Sequence, residues 1–139
     1  MRAALSPPGR RGLIGAVLRA IGAFLRMMRA ARLLGRGFKL QREARLAEAR
    51  DAFLAALDVA GAEGRGPLWF STRLCALESL STVAARLADE PLALRSIQEG
   101  LTLWQRSGLD QGDPRFEPIV AWEAWARDYL EATRVEPVA

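Results

Sequence analysis

Between Gly12 and Leu34 the chain reads GLIGAVLRAIGAFLRMMRAARLL, an unbroken run rich in Leu, Ala, Met and Arg with no proline and no acidic residue. These side chains lose little on entering a helix, so the run commits to about six turns of α-helix before any other element is considered. At about 100° per residue, Arg19, Arg26, Arg29, Arg32 and Arg36 share a sector about 140° wide that also holds Gly15 and Gly22. The opposite face carries Leu13, Val17, Ala20, Phe24, Met27, Met28 and Ala31, while Leu18, Leu25 and Leu33 lean toward the arginines. The expected element is a basic amphipathic helix whose docking residues are Arg19, Phe24, Arg26, Met27, Met28, Arg29 and Arg32.

Charge is divided sharply along the chain. Residues 1–42 hold ten of the twenty basic side chains and none of the sixteen acidic ones. The rest, with ten basic groups against sixteen acidic, is −6. A basic arm on an acidic body points to two different partners, with the arm meeting something anionic. Spanning a bilayer is excluded by energy. Each central arginine costs about 2.5–3.5 kcal/mol, and the large apolar residues return only about 0.3–0.6 kcal/mol each. The run Gly12–Leu18 is at the lower limit for the apolar region of a secretory signal and ends in Arg19, which argues against one. An Arg-rich transit peptide has similar composition, but Ser6 is the only serine in the arm and the helix runs on into the body.

Chemistry lacks its parts. The chain has no His, one Cys (Cys75) and one Lys (Lys39), which leaves the common metal sites, thiol dyads and Ser-His-Asp arrangements unfurnished. The acidic pairs Glu48 with Asp51, Asp89 with Glu90, and Asp110 with Asp113 are explained by helix surfaces and turns. GRGF and GAEGRG lack the lysine and the strand context of a phosphate-binding loop. The expected protein is not an enzyme and carries no cofactor and no metal. Its lone cysteine cannot form an internal disulfide, so the expected compartment is the cytoplasm, with peripheral attachment to the cytoplasmic face of a membrane through the arm.

The rest of the chain also reads as helix. Residues 1–10, with Pro7, Pro8 and Gly9, are expected as a flexible lead-in. A weak helix break is expected near Gly35 and Gly37. Ala49, Ala52, Phe53, Ala56, Leu57 and Ala60 recur at helical steps until Gly61, Gly64, Gly66 and Pro67 close the element. Leu74, Leu77, Leu80, Ala84 and Leu87 mark a third helix, with Cys75 as a small core residue. Asp89 is placed to cap a fourth, which carries Ala93, Leu94, Ile97, Leu101 and Trp104 and stops at Gly108. After the turn-rich GLDQGDPRFEP, a last helix over 119–132 presents Val120, Ala121, Ala124, Trp125 and Tyr129, with Trp122 one step round. RVEPVA is expected to fray. No segment alternates with period two, so the fold class is all-α.

One internal repeat stands out. ARLAEARDAFLAALDVA (44–60) aligns with ADEPLALRSIQEGLTLW (88–104), pairing Ala49 with Ala93, Phe53 with Ile97, Ala56 with Gly100 and Leu57 with Leu101. The period is 44 residues. A small residue precedes each matched alanine on the partner helix, Gly37 in the first unit and Ser81 in the second, where it lets two helices approach closely. The Ala49-x-x-x-Phe53-x-x-Ala56-Leu57 pattern resembles the second helix of the tetratricopeptide repeat. The second unit departs from it with Ile97 and Gly100, and the period exceeds the family's usual length of about 34 by the loop 61–70.

The resemblance implies a stack of two helical hairpins that binds peptides or protein surfaces, with a long basic N-terminal helix and a C-terminal capping helix. It divides the chain into an arm, 1–36, and a tetratricopeptide-like domain, 37–139. Two hairpins are fewer than such stacks normally need, so the last helix and the arm, or a partner, must cover the ends.

The expected function is that of a non-enzymatic interaction adaptor or accessory subunit of a larger, membrane-associated assembly. The arm is expected to meet first a membrane surface, then another protein, then the chain's own repeat domain with its arginines in water, and last a nucleic acid, because no stacking aromatics interleave its basic residues. A nucleic-acid-associated protein and a cytosolic chaperone of the tetratricopeptide type are the alternatives. Trp69, Phe70 and Trp122 are the candidate protein-interaction aromatics, with Trp104 and Trp125 expected in the core.

Overall fold

The computed structural model describes residues 10–134, and over that range the only regular elements are helices. They are α1 (Arg10–Arg42), α2 (Leu46–Ala60), α3 (Gly66–Arg86), α4 (Glu90–Arg106), a short 3-10 turn (Pro114–Phe116) and α5 (Glu117–Arg134). The all-α expectation holds. The lead-in and the last five residues of the tail lie outside the described range, apart from Arg10, which opens α1, and Arg134, which closes α5.

The expected break near Gly35 and Gly37 is absent, and α1 runs unbroken through both glycines to Arg42. Gly37 serves packing instead. A Cβ at this position would sit 2.5 Å from Cε1 of Phe53, whose side chain is fully buried, so only glycine lets α2 seat its aromatic ring against the α1 backbone. Phe38 meets the same ring edge-on at 5.6 Å between centroids. The second half of α1 thus forms a hairpin with α2, α3 forms another with α4, and α2 packs against α3 to join them. Leu40, Phe53, Leu80, Val83 and Ala93 form the shared core of this joint.

The 44-residue period of the sequence reappears in the backbone. Ala44 and Ala88 are left-handed, with φ of 59° and 58°, and are the only non-glycine residues so placed among those described. Arg45 N–H donates to the Leu40 carbonyl at 2.9 Å and Ala44 N–H to that of Gln41 at 3.0 Å; the equivalents 44 residues on, Asp89 to Ala84 and Ala88 to Ala85, measure 2.9 and 3.1 Å. Each pair closes the end of a helix in a Schellman turn and reverses the chain within three residues. The start of the next helix differs between units. Asp89 accepts the Leu92 N–H at 3.3 Å as an N-cap, while Arg45 makes no cap and turns to Glu48.

A second cluster, Leu74, Ile97, Leu101, Trp104, Ile119, Trp122 and Ala126, fastens α5 across the end of the second hairpin. Here too a glycine makes room, since a Cβ on Gly100 would approach Cη2 of Trp122 to 2.8 Å. The Trp122 indole N–H donates to Ser81 Oγ at 2.9 Å, so the small residue of the second unit receives a hydrogen bond from α5. Cys75 is half-buried rather than deep in the core.

Two outcomes in denaturant unfolding check this packing. Gly37→Ala is expected to lose about 1–3 kcal/mol, because neither the α1 backbone nor the Phe53 ring can withdraw. Ala88→Gly is expected to gain about 0.5–1 kcal/mol by relieving the left-handed alanine.

Candidate docking surface

Helix α1 is covered on one side over only part of its length. Its buried residues, Met27, Ala30, Gly37 and Leu40, begin just past halfway along, and every residue from Arg10 to Arg26 is exposed except half-buried Gly15. The first turns therefore leave the body as a rod about 25 Å long. Along it Leu13, Ile14, Val17, Leu18, Ile21, Phe24, Leu25 and Met28 are 38% to 62% exposed. On a helix of about 100° per residue these eight fall into one continuous sector about 140° wide. The sector faces away from the side that Met27, Ala30 and Gly37 press into the body.

The face continues past Met28 with a change of chemistry. Arg32, Arg36, Lys39 and Arg42 fall in the same angular sector and Arg29 lies on its edge, all of them exposed. One side of α1 is thus apolar from Leu13 to Met28 and basic from Arg29 to Arg42. Arg19 and Arg26 lie on the other side of the rod, nearer the body-facing line. Among the described residues, none of the basic side chains of α1 forms an ion pair.

Of the residues singled out from the sequence, Phe24 and Met28 lie in the apolar stripe, and Arg29 and Arg32 begin the basic continuation. Met27 is buried and offers no surface: it packs with Ala30 and Ala60 beneath Val59 and Trp69. Trp122 is likewise 5% exposed and holds α5 in place rather than facing solvent. Spacing alone could not separate Met27 from Met28, because which of two adjacent methionines turns inward depends on where α2 lies.

Trp69 and Phe70 are half-buried. The Trp69 indole N–H donates to the Gly61 carbonyl at 3.1 Å, and its ring occupies the space a side chain at Gly64 would need. Buried Arg73 donates to the same carbonyl at 2.8 Å and pairs with Glu99 at 2.6 Å, so one guanidinium ties the end of α2 to α4. Trp69 is a strut of this loop. Phe70 borders an apolar hollow of about 440 Å³ with Pro67, Leu109 and Phe116.

A larger cavity of about 650 Å³ lies between α3 and α5, walled by Trp122, Trp125 and Tyr129 on one side and by Glu78, Thr82 and Arg86 on the other. Burial pushes the Glu78 carboxyl up to about 7. No motif marks Glu78 in the sequence, where it is one acid amid ESLSTVAAR on a helix; its setting exists only once α5 is in place. No group of metal-ligating side chains occurs among the described residues. No described helix is long and apolar enough to cross a membrane. The chain matches no known protein family, no curated protein and no solved structure.

Glu78 gives a pH dependence of stability whose sign is fixed. Its folded value lies above the usual carboxylate range, so the folded state holds the proton more tightly than the unfolded chain. Stability from this group is complete below the unfolded value near 4.5, falls as pH rises, and is lost above about 7. Glu78→Gln is expected to raise the melting temperature near pH 8 and leave it unchanged near pH 4, measured by circular dichroism.

Proposed function

We propose that the protein is a non-enzymatic adaptor or accessory subunit of a membrane-associated assembly, attached to an anionic lipid surface by α1 and holding a protein partner on its helical body. The observation that carries this reading is the apolar stripe from Leu13 to Met28, which no described residue covers. Fully burying side chains of this size is worth about 1.5–3 kcal/mol each. Half-exposed in water, the eight together forgo on the order of 10 kcal/mol, a strong drive toward an apolar medium. The basic continuation supplies the matching charge, at about 1 kcal/mol per residue close to an anionic surface. Lying in the interface plane, the rod would sink its stripe to the acyl boundary while Arg29, Arg32, Arg36 and Lys39 meet headgroups.

A nucleic-acid partner would use the arginines and leave the stripe in water, so the stripe favours lipid. The body is read as a tetratricopeptide-like pair of hairpins. Supporting this are the seat of Phe53 on Gly37, the repeated Schellman turns at Ala44 and Ala88, and the alignment of Ala49 with Ala93.

Co-sedimentation of the full chain with vesicles tests the attachment. Binding is expected to vesicles containing about 30% phosphatidylserine, to weaken at least tenfold in phosphatidylcholine alone, and to fall as salt is raised. Ile21→Asp, on an exposed position with no core contact, is expected to weaken binding at least tenfold while leaving the melting temperature unchanged. A chain that ignores both vesicles yet shifts DNA in a salt-dependent manner would contradict the reading.

A further inference from the structure

We infer that the groove between α3 and α5 is a binding site for a partner polypeptide that presents an arginine or lysine side chain, received between the aromatic rings of α5 and the carboxylate of Glu78. This deepens the partner-holding half of the function proposed above and is independent of how α1 attaches.

The walls set the chemistry. Trp125 and Tyr129 are half-buried, with ring centroids 5.5 Å apart and tilted by 32°, and so offer π-faces at the rim of a cavity of about 650 Å³. A cation within about 6 Å of such a ring is attracted by its quadrupole, and more strongly where water is partly excluded. Opposite them, Glu78 is half-buried, and no cationic side chain among the described residues pairs with it. Asp89 and Glu90 bring further negative charge toward Tyr129. An acidic segment entering here would meet like charge, and a wholly apolar one would bury Glu78 deeper without a partner. A long basic side chain satisfies both demands, since its alkyl stem would lie along the half-buried rings of Trp125 and Tyr129 and its head would reach the carboxylate. Arg86, about 12 Å from Glu78 along α3, leaves that end of the groove free for a cation.

Proton linkage follows from the surroundings. The titratable and charged groups around Glu78 are Cys75 and Arg86 on its own helix, Arg115 on the 3-10 turn and Tyr129 on α5; α4 lends the adjoining cavity only Trp104. Burial raises both the Cys75 thiol and the Tyr129 hydroxyl above their ordinary values, so neither ionises in the neutral range. Between about pH 6 and pH 8 Glu78 alone of these groups changes charge, and the cation binds its ionised form.

The experiment titrates the full chain with acetyl-Ala-Arg-Ala-amide and with the same peptide carrying citrulline, the uncharged isostere of arginine, following the Trp125 indole N–H by NMR. The arginine peptide is expected to shift this signal saturably, with affinity about tenfold higher near pH 8 than near pH 6. Citrulline in the peptide, or Glu78→Gln in the protein, is expected to weaken binding at least about tenfold. Equal binding of both peptides, undiminished binding by Glu78→Gln, or no saturable shift at about 10 mM peptide would overturn the inference. So would a dimer that forms without peptide and dissociates on Glu78→Gln, which would give the groove to the basic arm of a second copy. Vesicle binding is expected to be the same for Glu78→Gln and the unaltered chain, so failure here and failure of the α1 attachment are told apart.

Discussion

Phe53 seated against the bare backbone of Gly37 fixes α1 on α2, and with it the direction in which the rest of α1 leaves the body. Because α1 is one continuous helix, the rotation set at this contact is carried rigidly back to Arg10. Turning Gly37, Ala30 and Met27 inward turns Ile14, Ile21 and Met28 outward. The orientation of the exposed stripe is thus a consequence of core packing several turns away, and any disturbance of the Phe53 seat would change which residues α1 presents. The same device recurs where Trp122 lies over Gly100, so both ends of the body are held by an aromatic side chain filling the place of a missing Cβ.

Much of this was readable in the residues. The helical spacing of Ala49, Phe53 and Ala56, the capping aspartate at 89 and the stop at Gly108 each depend on local chemistry, and each falls where the local pattern places it. The 44-residue repeat was visible as matched side chains; its backbone counterpart at Ala44 and Ala88 was not, because alanine gives no sign of a left-handed conformation. Gly35 and Gly37 misled for the opposite reason. Glycine is weak inside a helix taken alone, but tertiary packing overrides that cost when the residue is needed for close approach. Within α1, the run Gly12–Leu34 was recognisable as basic and amphipathic, whereas its continuation to Arg42 and the partition into an inward and an outward side required knowing where α2 lies. The α3–α5 groove was hidden altogether, since Glu78 and Tyr129 are fifty-one positions apart and belong to no shared pattern.

The division of charge takes on a spatial meaning. Arg29, Arg32, Arg36, Lys39 and Arg42 form a strip along the exposed side of the second half of α1, and the acidic excess belongs to the body, which holds the groove with Glu78 at its wall. On the function proposed above, two surfaces of opposite sign on separate parts of the fold would let the chain touch an anionic surface and a cationic segment at once.

The central claim is that α1 lies in a lipid interface with its stripe inward. Its most direct test attaches an environment-sensitive fluorophore to single cysteines introduced at Ile21, Ala23 and Lys39 in a Cys75→Ser chain, and measures quenching by lipids labelled at known depth in anionic vesicles. The account predicts deep quenching at position 21, shallow quenching at position 23 on the other side of the rod, and headgroup-level quenching at position 39. Equal depths at 21 and 23, or no quenching at 21, would contradict it.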